Sequence, residues 1–263
     1  MSGLLAEILA STRERVARID TGRRRALERR AARAPTPRDF LAALTTGATL
    51  GLIAEIKRRS PSKGELAPDL DPATTAKAYE AGGACALSVL TDGPYFGGSI
   101  GDLEAARAAT GLPVLRKDFM VDPVQLVEAR AAGADAVLLI VAALDDPMLT
   151  DLHAHATDLG LGVLVEAHSE EELERALACD ARIIGINARD LSDFSEDLGR
   201  IESMVSRLPT GIVRVAESAI RNQADAERMA AAGFDALLVG EALMRAPDVE
   251  ASVRALATVP RQR

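Results

Sequence analysis

Residues 131–140 read AAGADAVLLI, and two other stretches echo them: EAGGACALSVL at 80–90 and AAGFDALLVG at 231–240. Each closes an alanine-rich helical pattern, turns at a glycine and opens a run of aliphatic residues. Gly82, Gly133 and Gly233 stand 51 and 100 residues apart. A strand-plus-helix unit of about 25 residues fits twice and four times into those gaps, the mark of repeated βα units. Working outward from these junctions, apolar runs recur at 52–56, 86–90, 113–115, 136–141, 162–165, 183–186, 212–215 and 236–239. They are nearly continuous rather than alternating. They predict strands buried on both faces, as in a parallel sheet covered by helices.

Between the runs lie helix signatures. Residues 122–132 (DPVQLVEARAA) open with an Asp cap and Pro at the first helical position. Residues 169–178 (SEEELERALA) open with a capping box, Ser169 and Glu172. Residues 222–232 (NQADAERMAAA) run into Gly233, a helix C-cap. Eight such units predict an α/β fold of the (β/α)8 TIM-barrel class. No G-x-G-x-x-G follows the first run, which disfavours a dinucleotide-binding sheet. The 263 residues match the roughly 250 that one barrel needs, so residues 1–263 are read as a single domain. Within it, residues 1–47 form an N-terminal helical extension packed on the barrel. Leu4, Leu5, Ile8, Leu9, Val16 and Ile19 predict one extra helix there.

Apolar residues make up 48% and charged residues 27%, an ordinary globular composition. The net charge of -8 argues against nucleic acid or an anionic membrane as partner. Nine arginines between Arg13 and Arg33 run against that charge; such runs are usually a solvated helix face, with an anion-binding role as the alternative. Cys85 and Cys179 lack CxxC spacing, and Cys85 sits in an apolar run, so a buried free thiol is expected. No apolar run reaches the ~20 residues of a membrane span, and residues 1–10 do not make a signal peptide. The chain is expected to be a cytoplasmic monomer acting on a small molecule.

A core strand should not carry charge unless the charge is paired or used. Here Glu55 with Lys57, then Lys117, Glu166, Asn187, and Glu217 with Ser218 all fall at or near strand C-terminal ends. That is the end where barrels of this class place their active sites. Glu55 and Lys57 are i, i+2 and share a face. The chain has four lysines, Lys57, Lys63, Lys77 and Lys117, against 27 arginines. A lysine retained at a strand end in so arginine-rich a chain points to proton transfer, which arginine effectively cannot perform. Lys77, inside a helix, reads as solvated. Ser218–Ala219–Ile220 and Gly240–Glu241 follow the seventh and eighth strands, where backbone N–H groups commonly bind phosphate. Ser60–Pro61–Ser62–Lys63–Gly64 reads as a mobile loop able to reach the same anion. His153, His155 and His168 form no metal-ligand pattern; they read as structural or solvated, and no metal or cofactor is expected.

These residues resemble the indole-3-glycerol-phosphate synthases over nearly the whole chain. The likeness is carried by 53–64 (IAEIKRRSPSKG), 113–121 (PVLRKDFMV), 183–191 (IIGINARDL) and 215–220 (VAESAI). Residues 87–99 (LSVLTDGPYFGGS) and 163–167 (VLVEA) add to it. The resemblance implies closure of 1-(2-carboxyphenylamino)-1-deoxyribulose 5-phosphate to an indole with loss of carbon dioxide and water, without a cofactor. It implies Lys117 as general acid at the substrate carbonyl and Glu166 as acid/base partner in dehydration. Lys57 would hold the leaving carboxylate or donate a proton, the division of labour between the lysines staying open. Glu55 would orient Lys57. Asn187 and Glu217 would bind polar groups, with Arg189 nearby. Phe96 and Phe119 would pack on the anthranilate ring, and Ser60, Ser218, Ala219, Gly240 and Glu241 would form the phosphate end. Ala219 departs from the family's usual glycine, which implies crowding of the phosphate. The rival readings are another phosphosugar barrel, such as phosphoribosylanthranilate isomerase, and a catalytically silent barrel serving as a binding subunit. The first would want a Cys or Asp pair on strand ends; the second would tolerate loss of both lysines.

Overall fold

The computed structural model describes residues 3–190 and 195–262; Leu191, at the end of one motif above, lies outside them. Eight parallel strands close into a barrel: β1 (Gly51–Ile56), β2 (Ala86–Leu90), β3 (Val114–Lys117), β4 (Ala136–Ile140), β5 (Gly162–Ala167), β6 (Ile183–Asn187), β7 (Val213–Glu217) and β8 (Ala236–Val239). Each strand pairs with its sequence neighbours, and β8 closes onto β1 with Gly51 opposite Ala236. The helix-wrapped (β/α)8 barrel read from the sequence is the observed architecture.

The strands run further than their apolar runs. β3, β5, β6 and β7 extend onto Lys117, Ala167, Asn187 and Glu217 respectively. Hydrophobicity stops where the polar residues begin, but the backbone ladder does not: Asn187 and Glu217 are register partners across β6 and β7. The fourth run loses its last residue, because Val141 starts a short 3-10 turn, Val141–Ala143.

The repeat has a structural basis. The first echo is out of step by one residue: the left-handed helix cap is Gly83, not Gly82. Gly82 is still helical and packs so tightly on Val253 that a Cβ would come within 2.6 Å of it. Gly83, Gly133 and Gly233 all have φ between +83° and +100°, where a side chain would strain the backbone. Two residues on, Asp135 and Asp235 each accept an N–H at the start of the preceding strand, Val114 N at 2.8 Å and Arg214 N at 3.0 Å. The G-x-D spacing therefore ends a helix and satisfies the base of the barrel in one turn.

Helix caps follow the sequence closely. Asp122 caps Pro123–Ala131, with Gln125 completing the box. Asn222 caps Gln223–Ala232, which ends at left-handed Gly233. Ser169 caps Glu170–Ala178, but Glu172 returns its bond to the N–H of His168 rather than to that of Ser169.

The N-terminal extension holds three helices rather than one: Gly3–Ala17, Thr21–Ala31 and Phe40–Thr45. Asp20 and Asp39 cap the second and third, so the extra chain breaks are cap signals that the apolar pattern alone does not show. Phe40 and Leu44 close the N-terminal end of the barrel, where Gly162 and Gly51 leave room for them. The arginine-rich helix Thr21–Ala31 docks on Pro123–Ala131 in a cluster of Leu27, Ala31, Val124 and Ala131, which Val16 at the end of the first helix joins. Arg15, Arg23, Arg24 and Arg30 reach Asp118, Glu128, Asp122 and Glu104 on the barrel. The arginine ends of these pairs are 40–65% exposed, so solvent screens them; they orient the N-terminal helices, while the apolar contact holds them.

Lys77 is exposed, as expected. Both cysteines are free thiols, Cys179 buried and Cys85 partly buried. No described helix is long and apolar enough to cross a membrane.

Candidate active site

A cavity of about 410 Å³ opens at the C-terminal end of the barrel, a size typical of small-ligand sites. All fourteen site residues taken from the sequence line it: Glu55, Lys57, Ser60, Phe96, Lys117, Phe119, Glu166, Asn187, Arg189, Glu217, Ser218, Ala219, Gly240 and Glu241. Leu4, Leu5 and Ile8 of the first helix also line it, so the extension is a wall of the site.

Lys117 sits at the end of β3 between two carboxylates. Its Nζ lies 2.8 Å from Glu166 Oε2 and 2.9 Å from Glu217 Oε2. Burial disfavours the ammonium, but the two carboxylates outweigh it and raise Lys117 above its usual range. The carboxylates divide. Burial also opposes the charge on Glu166, yet Lys117 and His168 hold it well below the ordinary value. Glu217 is pushed up to about 8, by burial first and by the neighbouring Glu166, against the pull of Lys117. The opposite shifts favour a single negative charge beside the ammonium, with the proton on the Glu217 side. Two interacting acids driven apart by their surroundings are what acid–base chemistry in one site requires.

A second pair stands on β1. Lys57 Nζ donates to Glu55 Oε1 at 2.5 Å, with the lysine side chain 10% exposed and the glutamate 6%. The hydroxyl of buried Tyr79 donates to the Glu55 carbonyl at 3.0 Å and braces that part of the strand.

Two glycines make these arrangements possible. A Cβ on Gly185 would fall 2.0 Å from Glu217 Oε1, so β6 must carry glycine for the Glu217 carboxyl to fit. A Cβ on Gly240 would fall 2.3 Å from Glu55 Oε1. Gly240 was read as a phosphate-loop residue; it also clears space for Glu55. Glycine within a strand signals such close approach, so IIGIN contained the clue to Gly185.

The loop after β1 is more ordered than its sequence implied. Arg59–Ser60 and Gly64–Glu65 form a small antiparallel hairpin. Arg59 donates to the Gly93 and Pro94 carbonyls, and Arg58 pairs with Asp102, fastening the hairpin to the loop after β2. Ser60 is buried.

At the far end, Ser218 and Ala219 have φ of +67° and +61°. Only one other described non-glycine residue, Asp180, lies in that region; two strained residues in succession at a cavity mark a site rather than a chance turn. Glu241 starts the short helix Glu241–Met244. Its carboxylate lies 3.5 Å from Arg245, 3.7 Å from Lys63 and 3.8 Å from Arg189. Arg189 also donates to Glu196, which Arg221 pairs as well. This end of the cavity is rich in cations. Its other end is aromatic: the rings of Phe96 and Phe119 are 6.1 Å apart and tilted by 35°, within range for a favourable aromatic pair. Asn187 accepts the N–H of Arg189 at 3.0 Å, which sets the turn out of β6.

A model of the indole-3-glycerol phosphate synthase family matches residues 5–256. The chain belongs to the indole-3-glycerol phosphate synthase family. Family relatives named indole-3-glycerol phosphate synthase include one from Rhizorhabdus wittichii, 50% identical over 98% of this chain and 99% of its own length. Another, from Rhodospirillum rubrum, is 51% identical over 97% and 99% respectively. Among solved structures, the thiamine phosphate pyrophosphorylase from Pyrococcus furiosus matches with a TM-score of 0.59 at 20% identity, over 78% of this chain and 93% of its own. That likeness concerns the fold alone.

Against the family site, the sequence reading overlooked two buried groups. Arg116, between Leu115 and Lys117, points away from the cavity into the helical layer and is fully buried there. His168, taken as structural or solvated, lies beside Glu166. Alternation along β3 placed Arg116 on the outer face; nothing local identified its partners.

Proposed function

We propose that this cavity converts 1-(2-carboxyphenylamino)-1-deoxyribulose 5-phosphate to indole-3-glycerol phosphate, carbon dioxide and water, a step of tryptophan biosynthesis. The observation that carries this reading is the buried Lys117 shared by Glu166 and Glu217, in one cavity with the Lys57–Glu55 pair.

The substrate has an aromatic carboxylate at one end and a phosphate at the other. Phe96 and Phe119 receive the ring. Lys57, steadied by Glu55, holds the ring carboxylate until it leaves. Lys117 donates a proton to the ketone oxygen as the ring carbon attacks, which offsets the charge developing there. Loss of carbon dioxide then restores the aromatic ring. Glu166, ionised, takes a proton from the ring carbon next to the new hydroxyl, and that hydroxyl leaves with a proton from Lys57 as water, while Asn187 and Glu217 hold the sugar hydroxyls. The phosphate lies against Ser60, Ser218 and the backbone at Ala219, Gly240 and Glu241. The Glu241 carboxylate would repel a phosphate, so its contribution is its N–H, while Arg189 and Lys63 supply positive charge. Free thiols suit a reducing cytoplasm.

Steady-state indole fluorescence with this substrate tests the proposal. Turnover by the purified protein is expected; none, from protein folded by circular dichroism, would overturn it.

Ala219 carries a separate expectation. A left-handed L-residue costs roughly 1–2 kcal/mol, part of which glycine returns through a freer unfolded chain. Ala219→Gly is expected to stabilise the protein by up to about 1 kcal/mol and to lower KM, because the methyl no longer crowds the phosphate. Thermal unfolding and KM check the two parts separately; equal KM values would dismiss the crowding.

A further inference from the structure

His168 follows β5 directly and is 8% exposed. Its Nε2 lies 3.3 Å from Glu166 Oε1, and its Nδ1 lies 3.3 Å from Glu172 Oε2. Its backbone N–H donates to the same Glu172 oxygen at 2.7 Å. Glu172 is itself held, as the third residue of a helix capped by Ser169. The other oxygen of Glu166 takes Lys117, so each oxygen of this carboxylate has a nitrogen beside it: Lys117 Nζ in a hydrogen bond, His168 Nε2 at ion-pair distance without hydrogen-bond geometry. An ionised carboxylate only accepts hydrogen bonds, and a neutral imidazole has one N–H. A buried ring with a carboxylate 3.3 Å from each of its nitrogens is favoured electrostatically as the imidazolium.

We infer that His168 is a positioning residue for Glu166: clamped by Glu172, its imidazolium fixes the free oxygen of Glu166 and keeps that carboxylate ionised opposite Lys117. This rests on the assignment of Glu166 to the reaction. Among the described residues, the charged groups acting on Glu166 are Lys117 and His168, with Glu217 from β7 carrying its proton; those acting on His168 are Glu166 and Glu172. Burial opposes the imidazolium, but the adjacent Glu166 and Glu172 carboxylates prevail and raise it to about 9. A lone histidine in the sequence thus becomes the link between the N-terminus of a barrel helix and the acid–base centre.

Two replacements separate positioning from simple packing. The asparagine amide reaches roughly where Nδ1 sits and keeps the Glu172 contact; the glutamine amide reaches roughly where Nε2 sits and keeps a donor for Glu166. In His168→Asn, Glu166 loses its second cation. The acidic limb of the kcat/KM profile should then move to higher pH by about one unit or more, a tenfold loss at fixed pH on that limb. His168→Gln should move it less and retain more of kcat. An unchanged acidic limb in His168→Asn, or His168→Gln as impaired as His168→Asn, would overturn the inference. Nitrogen-15 NMR of the unaltered protein gives a test that needs no variant to fold. Both ring nitrogens of His168 should be protonated at pH 7, and a neutral ring there would also overturn it. Glu166→Gln distinguishes the two levels: full activity in that variant, with His168 still protonated, would remove Glu166 from the reaction rather than His168 from Glu166.

Discussion

Lys117→Ala is expected to lower kcat on the order of 10³-fold, in the range that loss of a positioned general acid produces. The same variant should lose stability in a pH-dependent way. Lys117 is the ammonium that two buried carboxyls share at 2.8 and 2.9 Å. Removing one partner of a buried charge cluster typically costs about 3–5 kcal/mol. The loss is smaller where Glu166 and Glu217 can share protons and larger where both must ionise, so it should grow as pH rises above neutral. In the wild type, the raised Glu217 contributes stability that is full below the ordinary carboxylate range and lost as pH rises through about 8. Glu166 acts in the opposite sense: its contribution is present above the ordinary carboxylate value and lost as pH falls through its depressed one. Fluorescence kinetics and urea unfolding at several pH values read both effects. Full activity in Lys117→Ala would defeat the proposed chemistry while leaving the fold untouched.

Arg116→Met should have the largest effect on stability outside the cavity. The guanidinium is 0% exposed. It donates to Thr91 Oγ1 at 3.1 Å, to the Gln125 carbonyl at 2.8 Å, and to Asp118 and Glu128 at 2.9 Å each. Burial works against the charge on Asp118, but Arg116 and Arg15 hold its carboxyl below the usual range. Methionine fills much of the volume and leaves Asp118 without its main partner. The expected cost is about 3–5 kcal/mol, seen as a lower urea midpoint with an unchanged slope. A loss below about 1 kcal/mol would mean that the network is no stronger than a surface ion pair.

These two residues also show how far the sequence could be read. Lys117 was conspicuous because a lysine at a strand end is rare in an arginine-rich chain. Arg116, next to it, looked like one of 27 arginines. Its partners come from the turn after β2, the loop after β3 and the next helix, and no local spacing announces that convergence. His168 was missed for the same reason: a lone histidine carries no pattern, and only β5 leading into a capped helix sets it between two carboxylates. The extension was under-read because its apolar residues gave one periodic stretch, whereas Asp20 and Asp39 start further helices.

What the sequence determined by itself was the periodic part: eight strands, their helices, the glycine turns between them and the end of the barrel at which Lys57 and Lys117 fall. Local rules suffice there, because side-chain alternation, caps and turns act over a few residues. Tertiary structure alone decided which groups those lysines meet. Lys117 meets Glu166 and Glu217 from strands 49 and 100 residues away, Gly185 gives Glu217 its room, and unequal partners pull the two buried carboxyls apart, Lys117 and His168 lowering Glu166 while burial and Glu166 raise Glu217. Such energies depend on distance and desolvation in three dimensions, which chain order does not encode.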